Sequence, residues 1–155
     1  GAFERMRAVL VNKCPPVLEG ADLGMAIQDL CTRWEINAGS GWTVNLSLDP
    51  VALGKLDKDR ALCVYRTVEE CLANAWRHSA PGGSAVKVSL ILHKKVLELR
   101  VENTMHPHSN TPAPSGGMGL NLLAERVRVH GGVFNAQIEE GQFVVSAQFQ
   151  QQGAA

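Results

Sequence analysis

What this chain lacks narrows it before any motif is read. It has no charge surplus: fifteen Lys and Arg balance fifteen Asp and Glu. That speaks against a nucleic-acid or anionic-membrane surface, and no nucleic-acid partner is expected. It has no Cys-x-x-Cys pair among Cys14, Cys31, Cys63 and Cys71. Cys63 and Cys71 fall eight apart on one expected helix, too far to bridge, so free, mostly buried thiols are expected. His93, His106, His108 and His130 show no metal-ligand spacing with these cysteines. No run of about eighteen apolar residues is present, and no signal-peptide pattern. An initiating methionine is also missing. Gly1-Ala2 reads as a cloning remnant, and the expectation is a piece of a longer protein.

What is present suits an ordinary globular domain: 155 residues, 45% apolar and 19% charged. The pattern reads in order as a helix, Leu23 to about Ile36, with Asp22 as its N-cap, then a strand, Trp42–Leu48, closed by Asp49-Pro50. A long central helix, Leu56–Ser79, follows. Ala85–Leu92 and Val96–Glu102 alternate as a hairpin around His93-Lys94-Lys95. Residues Asn103–Gly117 carry three prolines and no periodicity, which marks a functional or disordered loop. Helical spacing resumes over Met118–Val129 and ends at Gly131-Gly132 as a C-cap. Val133–Ile138 and Phe143–Phe149 form a last hairpin. The sum is an α/β sandwich (an α+β arrangement), one sheet with helices on one face.

The chemistry gathers on the central helix. Ala61, Val64, Tyr65, Val68, Leu72, Ala75 and Trp76 recur every three or four residues as an apolar stripe. Glu70, Asn74, Arg77 and His78 share a second stripe at i, i+4, i+7 and i+8. Four polar residues on one helix face are ordinarily a solvated face. Here they combine a carboxylate, an amide, a guanidinium and an imidazole, the groups a metal-bound polyphosphate needs. About forty residues on, Gly116-Gly117-Met118-Gly119-Leu120 opens the next helix. Glycine there lets backbone N–H groups at a helix start approach phosphate with no Cβ in the way.

Glu-x-x-x-Asn-Ala-x-Arg-His-Ser, read from Glu70, resembles the N-box of the GHKL superfamily of ATP-binding domains. Tyr65–Asn74 is most similar to the version in sensor histidine kinases of the nitrate-sensor and DesK type. Gly117-Met118-Gly119-Leu120 is similar to their second glycine box. The resemblance spans about Cys14 to Gln150. It implies the Bergerat fold, a mixed sheet with a long ATP lid loop, and a catalytic domain that transfers the ATP γ-phosphoryl group to a histidine on a separate dimerisation domain. ATP and Mg2+ are the implied cofactors. The phosphoacceptor-histidine dimerisation domain of the same full-length protein and a downstream response regulator are the implied partners. The implied location is the cytoplasmic part of a membrane-anchored sensor.

Residue by residue, the resemblance makes Asn74 the metal ligand and Glu70 the catalytic carboxylate that orients water or, in a kinase, metal-bound water. Arg77 would steady phosphate oxygens. His78 would lie against adenine or phosphate, and Gly117, Met118, Gly119 and Leu120 would cradle phosphate. Glu69, next in sequence, points about 100° away from Glu70, and Glu125-Arg126 is read as structural. Residues 1–16 are either the stump of a dimerisation helix with its Pro15-Pro16 turn or an ordinary N-terminal helix. Residues 17–150 are the catalytic domain and 151–155 a tail.

The first glycine box departs from the family's Asp-x-Gly-x-Gly. Asn103 holds the aspartate position, with Met105 and Pro107 at the glycines. An asparagine oxygen still accepts from the adenine amino group, and losing the charge costs about 1 kcal/mol, or about fivefold in affinity. Two other readings follow: a degenerate GHKL module acting as an interaction domain, and a stand-alone anti-sigma-type serine kinase. No His lies in a Glu-Leu-His-Asp-like context, so this piece alone is not expected to autophosphorylate.

Overall fold

The computed structural model describes residues 21–38, 41–78, 84–104 and 118–151. The expectations for residues 1–16, for the loop with Met105 and Pro107, for Gly117 and Cys14, and for the tail beyond Gln151 fall outside these residues. In chain order the elements are α1 (Ala21–Ala38), β1 (Trp42–Leu48), α2 (Pro50–Gly54), α3 (Lys58–His78), β2 (Ser84–His93), β3 (Val96–Thr104), α4 (Met118–Val129), β4 (Gly132–Glu139) and β5 (Gln142–Gln150). The sheet order is β1-β2-β3-β5-β4. β1 and β2 are parallel and the other pairs antiparallel. The expected mixed sheet with helices on one face is present.

Alternation in the strands decides which face the helices cover. On β3, Leu97, Leu99, Val101 and Asn103 are buried while their neighbours are half-buried or exposed. Val86, Val88 and Leu90 on β2 and Phe143, Val145, Ala147 and Phe149 on β5 continue that layer. Leu23, Ile27, Leu30 and Trp34 of α1, Val64, Val68 and Leu72 of α3, and Leu120, Leu123 and Val127 of α4 close over it. The opposite sheet face is polar, where Arg100 pairs with Glu102 at 3.4 Å and Glu139 at 3.7 Å. Among the described residues no helix is long and apolar enough to cross a membrane.

Several boundaries differ from expectation for physical reasons. Asp49-Pro50 does not merely close β1; it starts α2. The Asp49 carboxylate accepts from the Val51 N–H and Pro50 occupies the first turn, where a missing N–H costs nothing. α3 begins at Lys58 rather than Leu56, because Asp57 caps it by accepting from the Arg60 N–H at 2.8 Å. α1 begins at Ala21, so Asp22 lies inside the first turn rather than at the cap. It continues to Ala38 as the Asn37 amide turns back onto the Arg33 carbonyl at 2.8 Å. In the β2–β3 turn Lys94 and Lys95 both adopt left-handed backbone, with φ of 54° and 89°.

The Gly131-Gly132 pair divides its work. Gly131, at φ 82°, caps α4 by donating to the Arg128 carbonyl. Gly132 belongs to β4, and a Cβ there would lie 2.7 Å from the Phe149 ring and 2.8 Å from the Gln148 carbonyl. Backbone cannot yield as a flexible side chain can. Gly132→Ala is therefore expected to destabilise the fold by about 1–3 kcal/mol, read as a lower urea midpoint.

Cys31, Cys63 and Cys71 are free and buried, as expected. Burial pushes the Cys31 thiol from 9.0 up to about 12, with the Glu35 charge adding to it. Burial likewise raises Cys63 and Cys71. The unfolded chain then releases these protons at lower pH than the folded one, so stability is full below the unfolded thiol pKa and falls as pH rises above it. The urea midpoint is expected to drop between pH 8 and pH 10. A flat midpoint would contradict the thiols' burial.

Candidate functional site

Two anchors fix the direction of α3 over the sheet. At its start, the Arg60 guanidinium donates to the His130 carbonyl from Nε and Nη2, and to the Gln150 carbonyl from Nη1. It also lies 5.2 Å over the Phe149 ring. Gln150 pairs with Val96, so α3 starts at the beginning of β3. At its other end, the Trp76 ring packs 5.7 Å from Trp42 and 6.4 Å from Trp34. Trp42 pairs with Ser84, and two residues on Val86 pairs with Asn103. The helix therefore runs with β3 and ends where β3 ends. α4 runs the opposite way, because His130, just past its end, meets Arg60. Its first turn thus returns toward the C-terminal half of α3.

This topology brings most of the sequence-derived residues to one end of the domain. Glu70 and Asn74 are buried, at 9% and 4% exposure, which removes the solvated-face reading for them. They stand one turn apart on one face of α3. Arg77 Nη2 lies 3.4 Å from Asn74 Oδ1 and 3.8 Å from Glu70 Oε2. His78 is the last residue of α3, and Met118, Gly119 and Leu120 form the first turn of α4. Leu120 is anchored in the core at 3% exposure.

Asn103 ends the otherwise apolar inward row of β3, between Val86 and Phe143. Its Nδ2 donates to the Thr104 carbonyl at 3.3 Å, which leaves Oδ1 to accept. A side-chain amide oxygen at that position is the kind of acceptor a base amino group can use. Glu69, as expected, lies elsewhere: Arg66 holds it at 2.7 Å. The charge of Glu69 adds to the burial that raises the Tyr65 hydroxyl.

The donor set fits a magnesium-bound nucleotide. Magnesium takes one or two protein oxygens and completes its shell with water and phosphate. Glu70 and Asn74 offer two oxygens side by side. Among the described residues no three His, Cys, Asp or Glu side chains gather into an all-protein cage. The first turn of α4 adds N–H groups that no intrahelical carbonyl can satisfy.

Sequence reasoning missed the Arg60 clamp and the joining of three tryptophans from α1, β1 and α3. Neither has a local signal, since each depends on contacts far apart in the chain. It also missed an open cleft of about 470 Å³ lined by Lys55, Asp57, Asp59, Arg60, His130 and Gln151. That cleft lies at the Arg60 end, opposite Asn74 and Asn103. It is polar and mixed in charge, and holds none of the sequence-derived site residues.

No protein-family model matches the chain. It is 29% identical over 140 residues to the Bacillus subtilis sensor histidine kinase LiaS, covering 90% of this chain and 37% of that protein. It is 31% identical over 86 residues to the B. subtilis sensor histidine kinase ComP, covering 56% of this chain and 11% of that protein. The chain thus spans little more than a third of one relative and about a tenth of the other. Among solved structures, the histidine kinase domain of the Erythrobacter litoralis blue-light activated histidine kinase matches with a TM-score of 0.66 at 20% identity, covering 83% of this chain and 61% of that one. The catalytic domain of histidine kinase ThkA matches at 0.60 and 14% identity, covering 83% and 92%.

Proposed function

We propose that this chain, a relative of the sensor histidine kinases with the fold of their catalytic domain, binds Mg-ATP where α3, β3 and α4 converge and passes the γ-phosphoryl group to a histidine on a separate dimerisation domain. The observation that carries this reading is the Glu70–Asn74–Arg77 cluster on α3, with Glu70 and Asn74 buried and Arg77 at its exposed rim, at the same end as Asn103 and the first turn of α4. Asn74 Oδ1 holds the metal, and Glu70 positions metal-bound water. Bound magnesium supplies charge neutralisation for the phosphates. Arg77 contacts phosphate oxygens, His78 flanks the nucleotide, and Gly117, Met118, Gly119 and Leu120 carry the backbone that meets phosphate. Asn103 Oδ1 accepts from the adenine amino group.

Transfer itself asks for little covalent help from this chain. A nitrogen of the acceptor histidine attacks the γ-phosphorus, the bond to the β–γ bridging oxygen breaks, and ADP leaves. What the residues contribute is alignment and a charge-balanced, partly dry site. A response regulator would then take the phosphoryl group, and the whole protein would be a membrane-anchored sensor with this domain in the cytoplasm.

The test mixes this chain with γ-labelled ATP, magnesium and a separately produced dimerisation domain of its own full-length protein. Acid-labile, alkali-stable label on that domain is expected, and loss of it with Glu70→Gln. Label on serine, stable to acid, would contradict the histidine kinase reading.

A further inference from the structure

We infer that the Arg77 guanidinium is a placeholder cation: it holds the two oxygens that a metal would take, so that a bare divalent ion binds poorly and the nucleotide must draw Arg77 away. The inference rests on the metal-holding role proposed above for Asn74, and extends it to the adjacent Glu70 oxygen. One guanidinium nitrogen, Nη2, faces both Asn74 Oδ1 at 3.4 Å and Glu70 Oε2 at 3.8 Å. The spacing i, i+4, i+7 puts all three on one face of the last turns of α3.

A magnesium ion on either oxygen would sit about 2.0–2.1 Å from it, within a few ångströms of a full positive charge. Glu70 and Asn74 are buried, so water screens that repulsion less than it would at the surface. Arg77 in its resting place also offsets the cost of burying a carboxylate.

The contacts are built to be given up. Both are longer than the ~2.7–2.9 Å of a strong charged hydrogen bond, and the Arg77 side chain is 37% exposed. A triphosphate offers the guanidinium short, paired contacts instead, because its oxygens match the fork of N–H donors. The exchange is favourable when phosphate arrives and unfavourable when only metal does. The site therefore selects the metal already attached to nucleotide. It does not fill with free ion and wait.

The bland account of Arg77 is a basic residue in the last turn of a helix, favourable to the helix dipole. That account makes no statement about metal affinity, which separates the two. The probe is Mn2+ without nucleotide, followed by its spin-resonance signal, on the wild-type chain, Arg77→Gln and Arg77→Lys. Arg77→Gln is expected to bind Mn2+ at least about tenfold more tightly, since a charge a few ångströms from the ion has been removed. Arg77→Lys, which keeps the charge, is expected to stay near wild type. The gain is expected to vanish when Asn74→Ala is added to Arg77→Gln.

In parallel, affinity for Mg-ATP is expected not to share that gain in Arg77→Gln, as a charge-assisted phosphate contact is lost with the guanidinium. Unchanged or weaker Mn2+ binding in Arg77→Gln would overturn the inference. So would an equal gain in Arg77→Lys, or a gain that survives Asn74→Ala. Failure of ATP to bind the wild type would remove the nucleotide reading, while the Mn2+ comparison would still decide whether Arg77 holds the metal's oxygens.

Discussion

Asn74→Ala is expected to abolish Mg-ATP binding, lowering affinity at least about a hundredfold, or ~2.7 kcal/mol. Three arguments give this its size. The Asn74 side chain is 4% exposed, so its oxygen is held in place before any ligand arrives. Glu70 one turn earlier cannot take its place, since an ion bound to the carboxylate alone would lose the second protein oxygen and its fixed position. Asn74 would hold the metal that neutralises the phosphate charge, so losing the residue would weaken the hold on the nucleotide as well. The fold itself should tolerate the change. Alanine is a better helix former than asparagine, by up to about 0.7 kcal/mol. Calorimetry reads the binding and a melt reads the coupling: ligand at a hundredfold its Kd adds about 2.7 kcal/mol to the wild type, and nothing to the variant. A variant that binds Mg-ATP like the wild type would remove Asn74 from the site.

Trp34→Ala carries the largest expected cost to stability, about 3–5 kcal/mol, against the ~5–15 kcal/mol that holds a domain of this size together. Trp34 is fully buried on α1, and its ring meets Trp76 edge-on at 6.4 Å. Trp76 in turn lies on Trp42 of β1. Three elements distant in sequence are thus tied through one aromatic cluster. The cluster lies beside the turn that holds Asn74 and Arg77. Removing the ring leaves a cavity too large for α1 to close by collapse. The urea midpoint reads the loss. Trp34→Phe is expected to recover much of it, because it keeps an aromatic ring in contact with Trp76. A Trp34→Ala midpoint within the error of wild type would contradict the packing described.

How much of this was legible in the sequence depends on how local each signal was. The seven apolar residues of α3 recur within a single helix, so its existence and its inward face could be read directly. α4 was legible to its ends, Met118 and Val129, because its glycines bracket it. The sequence pattern puts Asn103 at the start of the loop rather than in the strand, because a polar residue ahead of Met105 and Pro107 gives no local strand signal; β3 continues to Thr104 and Asn103 ends its inward row. Other features were not legible. Periodicity separates the two faces of α3 but cannot tell a solvated face from one that is buried, which is how Glu70 and Asn74 were distributed. Asp49-Pro50 carries a stop signal for a strand and a start signal for a helix in the same two residues, and only the fold decides between them. Lys94 and Lys95 are poor candidates for left-handed backbone, yet the two-residue turn between β2 and β3 imposes it. Arg60 reaching 70 residues along the chain to His130 leaves no trace in any local pattern.

The most direct test of where the nucleotide binds is the backbone amide spectrum of the chain, recorded while Mg-ATP is added. The account expects shifts at Glu70, Asn74, Arg77, Asn103 and Leu120, with Lys55, Asp59 and His130 at the far end unmoved. Shifts gathered around Lys55 and His130, or no shifts at millimolar Mg-ATP, would contradict it.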